Sequence, residues 1–213
     1  LFQEKDYAVI VGGSGLYVDA VINGLDDFPK VDTQLREQLN LKYKEEGISY
    51  LQEELKAKDP KYYAMVDLEN PHRLIRALEV CLSENKPFSS FLNQKKPKRK
   101  FSSLYVGIKA DREIIYNRIN QRVDLMMEAG LLEEAKVLYL HRNLNALQTV
   151  GYRELFKYFD DNFTLDFAIS EIKKNTRRFA KRQLTWLRKN ESILWVNYNE
   201  APTEILKKIK QRL

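Results

Sequence analysis

A chain of 213 residues with 44% hydrophobic and 11% aromatic side chains can bury one large core or two small ones. No apolar run approaches the roughly 18 residues of a membrane helix, no apolar leader follows Leu1, and the single cysteine, Cys81, rules out an internal disulfide, so a membrane protein and a disulfide scaffold are excluded and a reducing, cytoplasmic setting is expected. Lys plus Arg outnumber Asp plus Glu by 36 to 30, a net charge of +6; this is modest for a nucleic-acid binder, so the placement of the cations matters more than their sum.

The YAVIV run at residues 7–11 stops at Gly12 and Gly13 and predicts a buried strand. Ser14 then caps a helix through about Asn23, with Gly24 as its stop. Strand, glycine turn and helix open an α/β unit. From Asp32 to about Gln94 the periodicity is helical and no strand is predicted. Leu35, Leu39 and Tyr43 share one face, and Ile48, Leu51 and Leu55 share another. Asn70 is an N-cap with Pro71 at the first helical position. The helix they start places Leu74, Leu78, Cys81 and Leu82 on one side, and Cys81 reads as a buried, inert thiol. The KKPKRK stretch at 95–100 closes this block as a basic connector.

Strand character returns at residues 104–108. Asp111 caps a long helix with Ile115, Ile119, Val123 and Met126 along one side. Gly130 interrupts it, and a helix continues to about Leu140. Residues 171–190 form a third helix, 193–196 a last strand and 202–213 a closing helix. The expected fold is α/β, a parallel-sheet core carrying a helical insertion.

Several segments carry candidate chemistry. In GGSGLY, residues 12–17, glycines let backbone approach a ligand and Ser14 offers a hydroxyl at the carboxyl end of a strand. A tight turn with Ser14 as a cap explains the same residues. It is not a P-loop, since G-x-x-x-x-G-K-[ST] occurs nowhere in the chain. Along residues 172–190, Lys173, Lys174, Arg177, Arg178, Lys181, Arg182, Arg188 and Lys189 stand with no acid, while Ile172, Thr176, Phe179, Gln183 and Trp186 form a stripe expected to face the core. Cations of one sign suggest a phosphate-rich partner.

Arg73 and Arg76 share a helix face, although a plain pair of Arg76 with Glu79 or Glu84 accounts for Arg76 as well. Arg118 and Arg122, four apart, clamp a phosphate or pair with Glu113 and Asp124. The turn from Gln148 to Arg153 joins an aromatic to a cation, suited to an unstacked base or, for Tyr152, to core packing. His72 and His141 are far apart, and neither a metal constellation nor a nucleophile with its base can be assembled. Positioning and phosphate electrostatics are the chemistry left.

Together these segments resemble the tRNA dimethylallyltransferase family, also called tRNA isopentenyltransferases. GGSGLY at 12–17 is similar to the family's GGTGLY, with Ser for Thr. NPHRLIRALE at 70–79 resembles its D-P-x-R-x-x-R-A-L-E helix, GLLEE at 130–134 its G-L-x-E-E turn and VGYREL at 150–155 its I-G-Y-[KR]-[EQ] turn. TRRFAKRQLTWLR at 176–188 is nearly the family's own motif.

The resemblance implies a P-loop-NTPase-like core over residues 1–30 and 100–213, with a helical insertion over 31–99 that contacts tRNA. It implies transfer of a dimethylallyl group from dimethylallyl diphosphate to the exocyclic amine of the adenosine 3′ of the anticodon, with Mg²⁺ helping to hold the diphosphate. The protein is expected to act as a monomer on the tRNA anticodon stem-loop.

By the same resemblance Ser14 and Arg122 are catalytic: Ser14 matches the hydroxyl residue near the target amine, and Arg122 a channel arginine that stabilises the departing charge. The segments matching tRNA contacts are His72, Arg73, Leu74, Ile75 and Arg76; then Gln148, Thr149, Val150, Gly151, Tyr152 and Arg153; and then Lys181, Arg182, Gln183, Leu184, Thr185, Trp186, Leu187 and Arg188. Family members begin with a P-loop and then an aspartate that serves as general base toward the adenine. Neither occurs in this sequence, which does not open on Met, so the diphosphate cradle, the Mg²⁺ ligands and the base are expected to be absent and the chain alone inactive. The alternative is a non-catalytic RNA-binding module that keeps the tRNA-facing surfaces.

Overall fold

A computed structural model describes residues 3–92 and 99–213. The chain divides into two compact units, Leu1–Val18 with Ser102–Leu213, and Asp19–Phe101. Helix α1 (Gly15–Ile22) runs across the boundary, and begins where the Ser14 carbonyl accepts from Tyr17 and Val18 N–H.

The second unit is helical, as its periodicity predicts. It contains α2 (Thr33–Glu46), α3 (Ile48–Lys58), α4 (Pro60–Tyr63) and α5 (Pro71–Glu84). Gly47, at a φ of 78°, breaks α2 from α3 in a conformation that costs other residues strain. Asn70 caps α5 through its side chain, which accepts from Arg73 N at 3.3 Å, and Pro71 fills the first position. The apolar faces meet in a core of Leu39, Leu51, Leu55, Leu74, Leu78 and Val80 with their neighbours. Cys81 belongs to this core; burial pushes its thiol up from the usual range, as an inert buried cysteine requires. Of the expected basic connector, residues 95–98 lie outside the described residues, and Arg99 donates to the Ala20 and Ile22 carbonyls at the end of α1.

Two buried carboxylates tie this unit together. Asp59 accepts from Tyr62 N, Ser89 N and Ser89 Oγ, which joins the start of α4 to the 3-10 turn at Phe88–Phe91. Glu79, on the inner face of α5, is gripped by Arg36 through two hydrogen bonds and approached by Arg76 at 3.4 Å. The bland pairing open to Arg76 in the sequence is therefore made. Because Glu79 is 1% exposed, a missing donor leaves a buried acceptor that water cannot reach. Arg36→Met is expected to lower unfolding stability by about 1–3 kcal/mol, and Glu79→Leu by less, since both arginines can turn to solvent. Urea denaturation of the two variants tests this, and an unchanged midpoint for Arg36→Met overturns it.

The first unit holds the sheet. Strand β1 (Val106–Lys109) pairs in parallel with β2 (Leu194–Asn197), in the register Val106↔Leu194 through Lys109↔Asn197. Between them run α6 (Arg112–Glu128), α7 (Leu131–Leu138), α8 (Tyr152–Phe159) and α9 (Leu165–Leu187), and α10 (Pro202–Lys210) follows β2. Val123, Leu131, Ala135, Leu147, Leu155, Phe156, Ala168 and Ile172 form the core of the helical layer. The expected class, α/β with a parallel sheet and a helical insertion, is the class observed. Among the described residues no helix is long and apolar enough to cross a membrane.

Four local expectations are corrected. Residues 7–11 form no strand; Tyr7, Val9, Ile10 and Val11 are exposed, because a strand exists only where its backbone pairs with a neighbour, and among the described residues β1 and β2 pair with each other alone. Asp111 stands at the N-cap of α6 without a side-chain capping bond; only its carbonyl engages, with Ile115 N. Helix α9 starts at Leu165 rather than near 171, capped by Thr164 Oγ1 accepting from Phe167 N, and ends at Leu187 rather than 190. Helix α8 begins inside the segment expected to be a turn, where Gly151 takes a φ of 107°.

Candidate functional site

The GGSGLY turn packs on the C-terminal half of α9. Gly15 owes its identity to this approach, since a Cβ there would sit 2.5 Å from the Trp186 ring, whereas one on Gly13 would meet only the Gln183 amide, the far end of a flexible side chain that can turn aside. Neither position takes a left-handed φ, so at Gly15 closeness rather than backbone conformation demands glycine. The two segments enclose an open groove of about 400 Å³, lined by Gly13, Ser14, Gly15, Leu16 and Tyr17 on one side and Phe179, Arg182, Gln183 and Trp186 on the other. Ser14 is exposed on this wall, while its carbonyl starts α1.

The groove corrects the stripe read from the sequence. Ile172 is buried in the core, whereas Phe179 is 51% exposed and, with Gln183 and Trp186, faces the groove. Helical periodicity reports that a face is covered by something; it does not say whether that is core or a concave wall.

The cations of α9 also divide. Lys173 pairs with Asp124 at 2.5 Å, Lys174 with Glu171, and Arg177 donates to Asn120 Oδ1 at 2.6 Å while lying over the Tyr116 ring. These three hold α9 against α6 or brace its own turn, so they are not part of a free cationic face. Among the described residues Arg178 reaches only Asn175 Oδ1, at 3.4 Å. Lys181, Arg182, Arg188 and Lys189 are exposed, and no ion pair neutralises them among the described residues. Arg182 lies over Phe179 with its guanidinium carbon 5.7 Å from the ring centroid, at the groove wall. Thr185 is exposed beside them and bonds back to the Lys181 carbonyl; Leu184 and Leu187 are half-buried.

On α6, Arg118 and Arg122 are exposed with no acidic partner among the described residues, and Asp124, one of the partners weighed for them, is taken by Lys173. In the 148–153 segment, Gln148 Nε2 donates to the Arg142 carbonyl at 2.5 Å and Thr149 is exposed. Val150 packs on the core and Gly151 is buried. Tyr152 stacks on Phe156 and bonds through its hydroxyl to Glu134, whose carboxylate pushes the phenol up; of its two readings, core packing is the one observed. Arg153 is exposed. In the helical unit, His72 and Arg73 are exposed, Arg76 is half-buried, and Leu74 and Ile75 are core residues whose side chains point inward.

Sequence reasoning missed Glu154. It is 5% exposed, and its carboxylate accepts from Gly151 N and from Asn175 Nδ2, both at 2.8 Å. The available signal was its place three residues after a helix-starting glycine. Among the described residues no group of three or more His, Cys, Asp or Glu is placed to hold a metal ion.

A family model described as IPP transferase matches residues 1–190. The tRNA dimethylallyltransferase of Flavobacterium johnsoniae is 55% identical over 219 residues, covering 100% of this chain and 71% of its own length. That of Christiangramia forsetii is 57% identical over 213 residues, covering 100% and 70%. The solved full-length tRNA isopentenylpyrophosphate transferase of Bacillus halodurans is 34% identical with a TM-score of 0.58, over 94% of this chain and 63% of that one. A eukaryotic dimethylallyltransferase acting on tRNA, 22% identical, shares the fold with a TM-score of 0.71 over 94% of this chain and 55% of its own. The groove-lining turn at 12–17 and the α9 motif at 176–188 both lie within the matched span, and the chain belongs to the IPP transferase family, that of the tRNA dimethylallyltransferases.

Proposed function

We propose that these residues serve transfer of a dimethylallyl group from dimethylallyl diphosphate to the exocyclic amine of the adenosine 3′ of a tRNA anticodon. The observation that carries this reading is the groove, where a serine hydroxyl, apolar rings and Arg182 meet beside unneutralised cations. In the reaction the amine nitrogen bonds to the allylic carbon, the carbon–oxygen bond to diphosphate breaks, and diphosphate leaves with the electron pair. The apolar wall of Leu16, Tyr17, Phe179 and Trp186 suits an isoprenoid chain or an unstacked base. Lys181, Arg182 and Arg188, with Arg73 and Arg153, supply phosphate contacts along the anticodon stem-loop. Arg122 faces the charge that develops on the departing diphosphate.

We take the groups that cradle the diphosphate, hold Mg²⁺ and accept the amine's proton to belong to the family's P-loop segment, whose G-x-x-x-x-G-K-[ST] pattern these 213 residues lack. A labelled dimethylallyl diphosphate assay with an anticodon stem-loop tests the reading. It is run on the 213 residues alone and on a version carrying the family's P-loop segment ahead of them. Transfer is expected only in the second; turnover by the first would place the diphosphate site among residues read here as structural, and transfer by neither leaves the RNA-binding module.

Ser14 gives a narrower test in the extended protein. Ser14→Thr keeps the hydroxyl and is expected to hold turnover within a few-fold. Ser14→Val matches threonine in size without the hydroxyl, and is expected to lose about tenfold or more. Wild-type turnover in the valine variant reduces Ser14 to a turn residue.

A further inference from the structure

Helix α8 starts without a side-chain cap, because Gly151 has none to offer. Its buried N–H would be an orphan donor. Glu154 Oε2 accepts it at 2.8 Å, and the second oxygen of the same carboxylate accepts from Asn175 Nδ2 at 2.8 Å, in the middle of α9. Two cations sit one link from this carboxylate. Arg153 Nη2 is 3.9 Å from Glu154 Oε1, and Arg178 Nη1 donates to Asn175 Oδ1 at 3.4 Å. Arg153 and Arg178 are both exposed.

Apolar contacts already hold α8 to α9, with Leu155 and Phe156 in the same core as Ala168 and Ile172. Such contacts are non-directional and tolerate small sliding. The two bonds to Glu154 are directional, and they fix where the 148–153 turn stands along α9.

We propose that Glu154 is a positioning residue: it sets the 148–153 turn in register with α9 so that Arg153 and Arg178 engage one RNA backbone together, an inference that rests on the reading that both segments bind tRNA. Its role is in the geometry of the cationic surface rather than in the chemistry of transfer.

The test measures the Kd of an anticodon stem-loop for the 213-residue protein across a salt series. Glu154→Leu is expected to weaken binding about tenfold and to lower the steepness of log K against log salt by about 1–2, because two phosphate contacts disengage. Glu154→Gln keeps an acceptor for Gly151, but it can donate to Asn175 only if the Asn175 amide turns its nitrogen toward Arg178, so it is expected to keep the Arg153 contact and to lower the steepness by about 1, as loss of the α9 arm does. Asn175→Ala breaks only the α9 arm and is expected to lower the steepness in the same way. It decides the matter if Glu154→Leu does not fold. Wild-type Kd and steepness in Asn175→Ala, or weaker binding at unchanged steepness, overturn the proposal, since general softening does not change the number of phosphates neutralised. A Lys181→Ala, Arg182→Ala variant separates the two levels. If it binds normally, the RNA-binding reading of α9 fails; if it loses binding while the Glu154 and Asn175 variants do not, the positioning role alone fails.

Discussion

Replacing Arg122 with alanine, in a protein extended to include the family's P-loop segment, is expected to lower turnover about 10²-fold or more with tRNA affinity nearly unchanged. Arg122 is exposed on α6, and no carboxylate among the described residues neutralises it. A cation left unpaired in the free protein is available for charge that appears only as the carbon–oxygen bond breaks. An interaction made only in the transition state lowers kcat and kcat/KM together when removed. Arg122→Lys keeps the charge but loses the planar fork, and is expected to recover part of the activity. The measurement is single-turnover transfer at saturating stem-loop, beside a binding titration. Weaker tRNA binding at intact turnover would make Arg122 an RNA contact instead. Arg118, four residues earlier on the same helix, is an internal comparison that shares the surface.

Raising monovalent salt from about 50 to about 200 mM is expected to weaken anticodon stem-loop binding by roughly 10²- to 10³-fold. If roughly six phosphates are neutralised, log K falls against log salt with a slope near −4 to −5. The cations for this are chiefly the exposed Lys181, Arg182, Arg188 and Lys189, which have no acid partner among the described residues, with Arg73 and with Arg153, whose Nη2 stands 3.9 Å from Glu154 Oε1. Lys173, Lys174 and Arg177 are excluded, since Asp124, Glu171 and Asn120 already engage them. Lys181→Ala with Arg182→Ala is expected to flatten the slope by about 2, and Lys174→Ala to leave it unchanged. Equal effects from the two would mean that pairing within the protein does not decide which cations meet RNA.

The helical unit was legible because its determinants are local. An N-cap asparagine, a proline at the first turn and apolar residues at 74, 78 and 81 act within a few residues of one another, and α5 follows from them. The capping asparagine needs nothing outside its own turn. The YAVIV run failed for the opposite reason: its composition suits a strand, but a strand is stable only with a neighbour, and none pairs with it among the described residues. Helix α8 was hidden because Gly151 reads equally as a turn and as a start, and the partner that settles it, Asn175, lies 21 residues beyond Glu154.

By itself the sequence determined the α/β class, the helical insertion, most helix starts and, through the GGSGLY and TRRFAKRQLTWLR segments, the family. Only the tertiary structure decided which cations are free, which carboxylates are buried and whether a hydrophobic stripe meets core or cavity. Those outcomes depend on partners far along the chain: 57 residues separate Arg177 from Asn120, and 43 separate Arg36 from Glu79. Periodicity and capping are short-range, whereas a salt bridge or a groove wall forms where folding brings distant elements within a few ångströms, and no local pattern encodes that meeting.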